Sequence, residues 1–195
     1  SSIGSLILDV SYGAQPMTAL VGTQQLAGIW YLLNPAVGTA TVVVTWDAAD
    51  EKGVVGGSVS FFGVHQSVTF GVTVSAIGTD AAPTVAVAGT GHNSRVFGGL
   101  GVNHAATNTL TKTIGDGQRE LWNVADGTVP LTRVGGGGSD QPGLPGVRTV
   151  NWTLGSARTW EVVAADILPA PFFRVANPTR ISSPLSSKGT VNETR

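Results

Sequence analysis

Val147-Arg148-Thr149-Val150-Asn151-Trp152-Thr153-Leu154 is the stretch that decides the fold. In an extended chain, Val150, Trp152 and Leu154 share one side, with Arg148 on the same side nearer the solvent. Thr149, Asn151 and Thr153 share the other. Period two built from β-branched and aromatic residues marks a half-buried strand. Outward from it the pattern recurs in Thr39-Ala40-Thr41-Val42-Val43-Val44-Thr45-Trp46 and in Thr84-Val85-Ala86-Val87. The spacing predicts strands over about 5–12, 17–21, 25–34, 39–46, 54–62, 68–77, 83–88, 94–103, 118–123, 146–154 and 158–168. Between them lie turns at Tyr12-Gly13, Asn34-Pro35 with Gly38, Lys52-Gly53, Gly78-Thr79-Asp80, Gly115-Asp116-Gly117 and Gly155-Ser156. No stretch carries a helical apolar stripe over three turns, and the best helix candidate, 48–52, is one turn long. The expected fold is all-β: an antiparallel β-sandwich, jelly-roll or Ig-like, over 1–168.

Composition narrows the role. The chain has 195 residues, of which 42% are hydrophobic, enough for a core. Charged residues make up only 12%, and Lys+Arg 11 against Asp+Glu 12 gives a net charge of -1. No basic excess exists to bind nucleic acid or an anionic membrane surface. No apolar run reaches the length of a transmembrane helix. Cys is absent, which removes disulfides, thiolate metal sites and Cys nucleophiles. Ser1 is not a start Met and the first strand follows almost at once, as expected of a processed or excerpted chain.

Two segments break the rhythm. Residues 124–146 hold Gly135-Gly136-Gly137-Gly138-Ser139 and Pro142-Gly143-Leu144-Pro145-Gly146. Glycine followed by proline reads as a long loop, flexible and then stiffened. Residues 169–195 carry Pro169, Pro171, Pro178 and Pro184 among serines, with Phe172, Phe173, Val175, Ile181 and Leu185 spaced along them. This reads as an extended C-terminal arm with apolar anchors and no core of its own.

The chain resembles a family of β-sandwich domains found in bacterial secreted, surface and phage-encoded structural proteins. The residues that carry the resemblance begin with Val10-Ser11-Tyr12-Gly13-Ala14-Gln15-Pro16-Met17-Thr18 and Trp30-Tyr31-Leu32-Leu33-Asn34-Pro35. They continue through 38–46, Val59-Ser60-Phe61-Phe62-Gly63-Val64-His65-Gln66, the glycine-rich stretch and Val150-Asn151-Trp152-Thr153-Leu154. The resemblance implies a sandwich over roughly 8–168 and no invariant catalytic motif. Members usually have one or two further strands before the Tyr-Gly element and rarely have such an arm. An open sheet and a spare arm invite strand exchange between copies.

Catalytic constellations do not emerge. There is no Gly-x-Ser-x-Gly elbow, no phosphate loop and no dinucleotide turn. Gly135-Gly136-Gly137-Gly138 opens no helix and so offers no anion site. Zinc needs clustered ligands. Yet His92 and His104 bracket an extended strand whose ends lie roughly 30 Å apart, and His65 sits in a turn. Asp47, Asp50 and Glu51 share one turn without EF-hand spacing and beside Lys52, so a solvated loop is the favoured reading and a weak calcium site the alternative. Asp116, Glu120 and Asp126 are looser, and no carboxylate pair marks a glycosidase cleft. Trp46, Trp152 and Trp160 occupy strand positions where sandwich cores place indoles. Trp122, beside Gln118, Arg119 and Asn123, is the best candidate for exposure and for stacking on a sugar ring, with core or interface filler as the favoured reading.

These readings lead to a non-enzymatic structural subunit of a homopolymeric assembly, without cofactor. Such a subunit would be a virion capsid, decoration or tail protein, or part of a cell-surface filament. Its partners would be copies of itself and other structural proteins, with no nucleic acid and no membrane. Its place would be the virion surface, the cell surface or the extracellular space. Phe172, Phe173, Val175, Ile181 and Leu185 are the expected subunit-interface residues. The alternative is a glycan-binding or adhesion module of a larger secreted protein, with Trp122 as its platform.

Overall fold

A computed structural model describes residues 7–23, 26–46, 54–103, 110–126 and 134–171. Among them there are strands and no helix, as the period-two reading requires. In chain order the strands are β1 Ile7–Tyr12, β2 Gln15–Pro16, β3 Thr18–Val21, β4 Ile29–Tyr31, β5 Val42–Trp46, β6 Phe70–Gly78 and β7 Thr84–Thr90. They continue with β8 Arg95–Asn103, β9 Lys112–Ile114, β10 Arg119–Asp126, β11 Val134–Pro142, β12 Gly146–Leu154 and β13 Trp160–Ile167.

Two antiparallel sheets form the centre. One has the order β10-β11-β8-β13-β6, the other β7-β12-β9. Val96, Leu100 and Val102 of β8 and Trp160, Val162 and Ala164 of β13 face Val85 and Val87 of β7 and Val150, Trp152 and Leu154 of β12. Each Val or Leu among them contributes about 1.5–3 kcal/mol when fully buried. The alternation of 147–154 thus places its apolar side in the core.

The five-stranded sheet is covered on its other face too. Val163 and Ala165 pack there with Ile29, Leu20, Val21, Ala27, Phe70 and Phe97, so the β3–β4 hairpin forms an outer layer. Burial on both faces leaves β13 without an exposed position. That is why Val162-Val163-Ala164-Ala165 is a continuous apolar run and not an alternating one.

The glycine-rich stretch corrects the loop reading of 124–146. β10 continues to Asp126, and Gly135 to Ser139 lie inside β11, paired with β8 on one edge and β10 on the other. Glycine is required because bulky groups press on both faces. A Cβ on Gly137 would lie 2.5 Å from Trp152 Cη2, one on Gly136 would lie 2.8 Å from Val55 Cγ2, and one on Gly138 would overlap the Trp122 ring. Glycine costs chain entropy in a strand, and here that cost admits two indoles to a central strand.

Residues 54–62, expected as a strand, join no ladder among the described residues. They cross the outer face of the large sheet, with Val55 over Gly136, Gly57 against Trp122, and Phe61 edge-on to Phe97 at 6.2 Å. A segment lying on a sheet face has no strand edge beside it to pair with. The expected strand 25–34 shrinks to β4 for a related reason: the chain before it is pinned down on the sheet face by side-chain bonds. The remaining sheet, β2-β1-β5, shares no extensive contact with other strands. Trp46 is therefore 41% exposed, whereas Trp152 and Trp160 are buried.

Candidate functional site: the arm root

After β13 the chain runs along residues 63–69. Leu168 N donates to Thr69 O (2.8 Å), His65 N to Leu168 O (2.9 Å) and Ala170 N to Gly63 O (2.7 Å), and Val64 bridges Pro169. Backbone pairing thus runs two residues past 168. The receiving turn is self-supporting. Gly63 sits at φ +68, in the left-handed region that favours glycine. His65 Nδ1 accepts from Ser67 N (3.1 Å) and Val68 N (3.0 Å), while Thr69 Oγ1 donates to His65 O (2.9 Å). That nitrogen is engaged by the backbone, so His65 is a turn-builder here. Beside this turn Phe62 is fully exposed and Val68 is 56% exposed. Of the expected anchors, Phe172, Phe173, Val175, Ile181 and Leu185 all lie outside the described residues.

Three carboxylates are buried in the five-stranded sheet. Glu161 on β13 accepts from Thr23 N (2.9 Å), Thr23 Oγ1 (2.5 Å) and Ala27 N (3.1 Å). These hydrogen bonds hold Thr23 and Ala27 down on the sheet, with Leu26 over Gly101, where a Cβ would overlap the Leu26 carbonyl. Asp140 on β11 is shared by two arginines. Arg119 Nε reaches Oδ1 at 2.8 Å and Nη2 reaches Oδ2 at 3.0 Å, and Arg95 also binds Oδ2. Burial alone would raise the Asp140 carboxyl, but the Arg119 and Arg95 hydrogen bonds and charges outweigh it and hold it below its ordinary range. Asp166 on β13 is buried, and its Oδ1 has no partner among the described residues. On β9, burial lowers the Lys112 amine, with Glu120 opposing the shift.

No three His, Asp or Glu residues among the described ones are placed to share a metal. His92 lies in an exposed turn, while His104 and the Asp47, Asp50 and Glu51 turn lie outside the described residues. Gln118 and Trp122 belong to separate environments. Gln118 Nε2 donates to Asn151 O (2.8 Å), and its Oε1 accepts from Ser139 Oγ (2.9 Å), joining β11 and β12. Trp122 is half-buried on the other face, its pyrrole edge pressed against Gly57 and Gly138. Asn123 donates to Lys112 O (2.8 Å) and Glu120 Oε2 (3.0 Å).

No family model, curated protein or solved structure matches the chain. Sequence reasoning passed over Glu161 and Asp140. An acid in an apolar strand, as in Trp160-Glu161-Val162-Val163, was the available signal, because a charge there must be partnered.

Proposed function

We propose that this chain is a non-enzymatic structural subunit of a homopolymeric assembly, a virion capsid, decoration or tail protein or a cell-surface filament, with the C-terminal arm making subunit contacts. One observation carries the reading. The backbone at 168–170 is pinned to a self-supporting turn, next to the fully exposed Phe62. A large apolar side chain held in water, with five apolar residues in the sequence that follows 171, suits burial against a neighbour. The buried polar groups support the same reading, since those of β11 and β13 join strands and cover sheet faces. The glycan-binding alternative has less support, because part of the Trp122 ring already packs on glycine backbone.

Removal of residues 172–195 tests the proposal while sparing the pairing at 168–170. The truncated chain should keep its circular dichroism and melting transition and lose the higher-order assembly that the full chain shows with rising concentration, going no further than a weak dimer. Assembly of the truncated chain equal to that of the full chain refutes the arm's role.

A further inference from the structure

We infer that the free edge of β5 is a strand-pairing surface for β5 of a second copy, joined antiparallel about a two-fold axis at Val44. Such pairing presupposes the self-assembly proposed above and adds a contact that the arm does not make.

β5 lies at the border of the sheet β2-β1-β5, and no described residue pairs with its outer side. The direction of its backbone groups follows from the register. Tyr12 faces Val42, Ser11 faces Val43 and Val10 faces Val44, and Gly13 N donates to Thr41 O at 2.9 Å. Thr41 therefore turns its polar groups toward β1. Alternation then turns those of Val43 and Thr45 toward β1 and those of Val42, Val44 and Trp46 outward. The outward groups are those a new strand would use.

The edge lacks the devices that keep strands apart. Val42-Val43-Val44-Thr45-Trp46 has no charge and no proline. It is also self-complementary. Centred on Val44, an antiparallel copy sets Val44 against Val44, Val42 against Trp46 and Val43 against Thr45. Every outward-facing residue then meets another, so three pairs exchange about six hydrogen bonds. The side chains agree. Val42, Val44 and Trp46 share a face with Val10 and Tyr12, and Val42 and Trp46 are 39% and 41% exposed. Across the axis each Trp46 would rest on a Val42, an aromatic–β-branched pair of the favourable kind. The opposite face carries Asp9, Ser11, Val43 and Thr45, so the joined sheet would keep one apolar and one mainly polar side. An isologous contact of this kind closes as a dimer. A five-residue ladder is small beside a standard interface of about 1,600 Å², so the pairing is weak and concentration-dependent.

Hydrogen exchange on the full chain, read beside sedimentation over a concentration series, tests it. The amides of Val42, Val44 and Trp46 should gain protection as the protein assembles. Val44→Pro removes an outward donor and spares the bonds to β1. It should weaken association roughly ten- to a hundredfold, the effect of losing two net hydrogen bonds across the axis. Trp46→Lys, which leaves the backbone intact, should weaken it in the same direction. If the protein assembles while these amides stay unprotected, or if Trp46→Lys assembles like the parent, the β5 pairing is wrong and the arm reading stands. A chain that is monomeric at every concentration overturns both.

Discussion

Gly137→Ala separates the two readings of the glycine-rich stretch by the sign of its effect. In a flexible loop, alanine reduces the freedom of the unfolded chain and stabilises by about 0.4–1 kcal/mol. In β11 the added methyl would stand 2.5 Å from Trp152 Cη2 and 3.0 Å from Cζ2 and Cζ3. Carbon atoms pack best at about 3.5–4.0 Å, so the ring must retreat by about 1 Å. Trp152 is 1% exposed, in the core with Val85, Val87, Val150 and Leu154, and has little room to do so. Overpacking of this kind costs about 1–3 kcal/mol, which lowers the melting temperature of a domain this size by about 2–12 °C. Denaturant unfolding, with the slope checked for constancy, measures the change. Gly56→Ala is the control. Its Cβ meets nothing within 4 Å, so its effect should stay within about 0.5 kcal/mol. Adding Trp152→Phe shortens the colliding ring. The double variant should therefore lose less than the two single losses added together, by about 0.5–3 kcal/mol of coupling. A neutral or stabilising Gly137→Ala at unchanged slope would refute the buried-strand account.

Glu161→Gln keeps the shape of the side chain but sets an amide donor against either Thr23 N or Ala27 N. It should cost about 1–3 kcal/mol and speed exchange of those two amides; unchanged exchange there would show that Glu161 does not hold the segment. Asp140 gives a pH dependence whose sign follows from its lowered folded-state pKa. Its stabilisation is complete above the unfolded value of about 3.9 and is lost as the pH falls through the lower folded value. Asp140→Asn should therefore be less stable than the parent at neutral pH, with the gap closing on acidification; a gap of constant size in urea titrations across that window would contradict the two-arginine account.

Local sequence pattern determined most of the long strands: alternation where one face is buried, and a continuous apolar run where both faces are, as in β13. The reading of 146–154 coincides with β12, Gly146–Leu154, and 94–103 and 158–168 fall within two residues of β8 and β13. The period of two is a local property of an extended backbone, so one face of each strand is legible without knowing its neighbours. Tertiary structure decided what had no local signal. Gly135 to Gly138 have no side chains and so no period, and they are a strand only because β8 and β10 lie on either edge. Residues 54–62 alternate like a strand, yet they lie on a sheet face where no backbone edge is within reach. Trp46 has the same local pattern as Trp152, but their burial differs because only β12 has a sheet packed against its apolar side. The arm root depends on contacts across about a hundred residues, between 63–69 and 168–170. Neither segment carries a mark of the other, because backbone hydrogen bonds are indifferent to side-chain identity. Glu161 is set by the same kind of distance: a carboxylate can stay in the middle of a sheet only where the fold brings the donors of Thr23 and Ala27 down onto it.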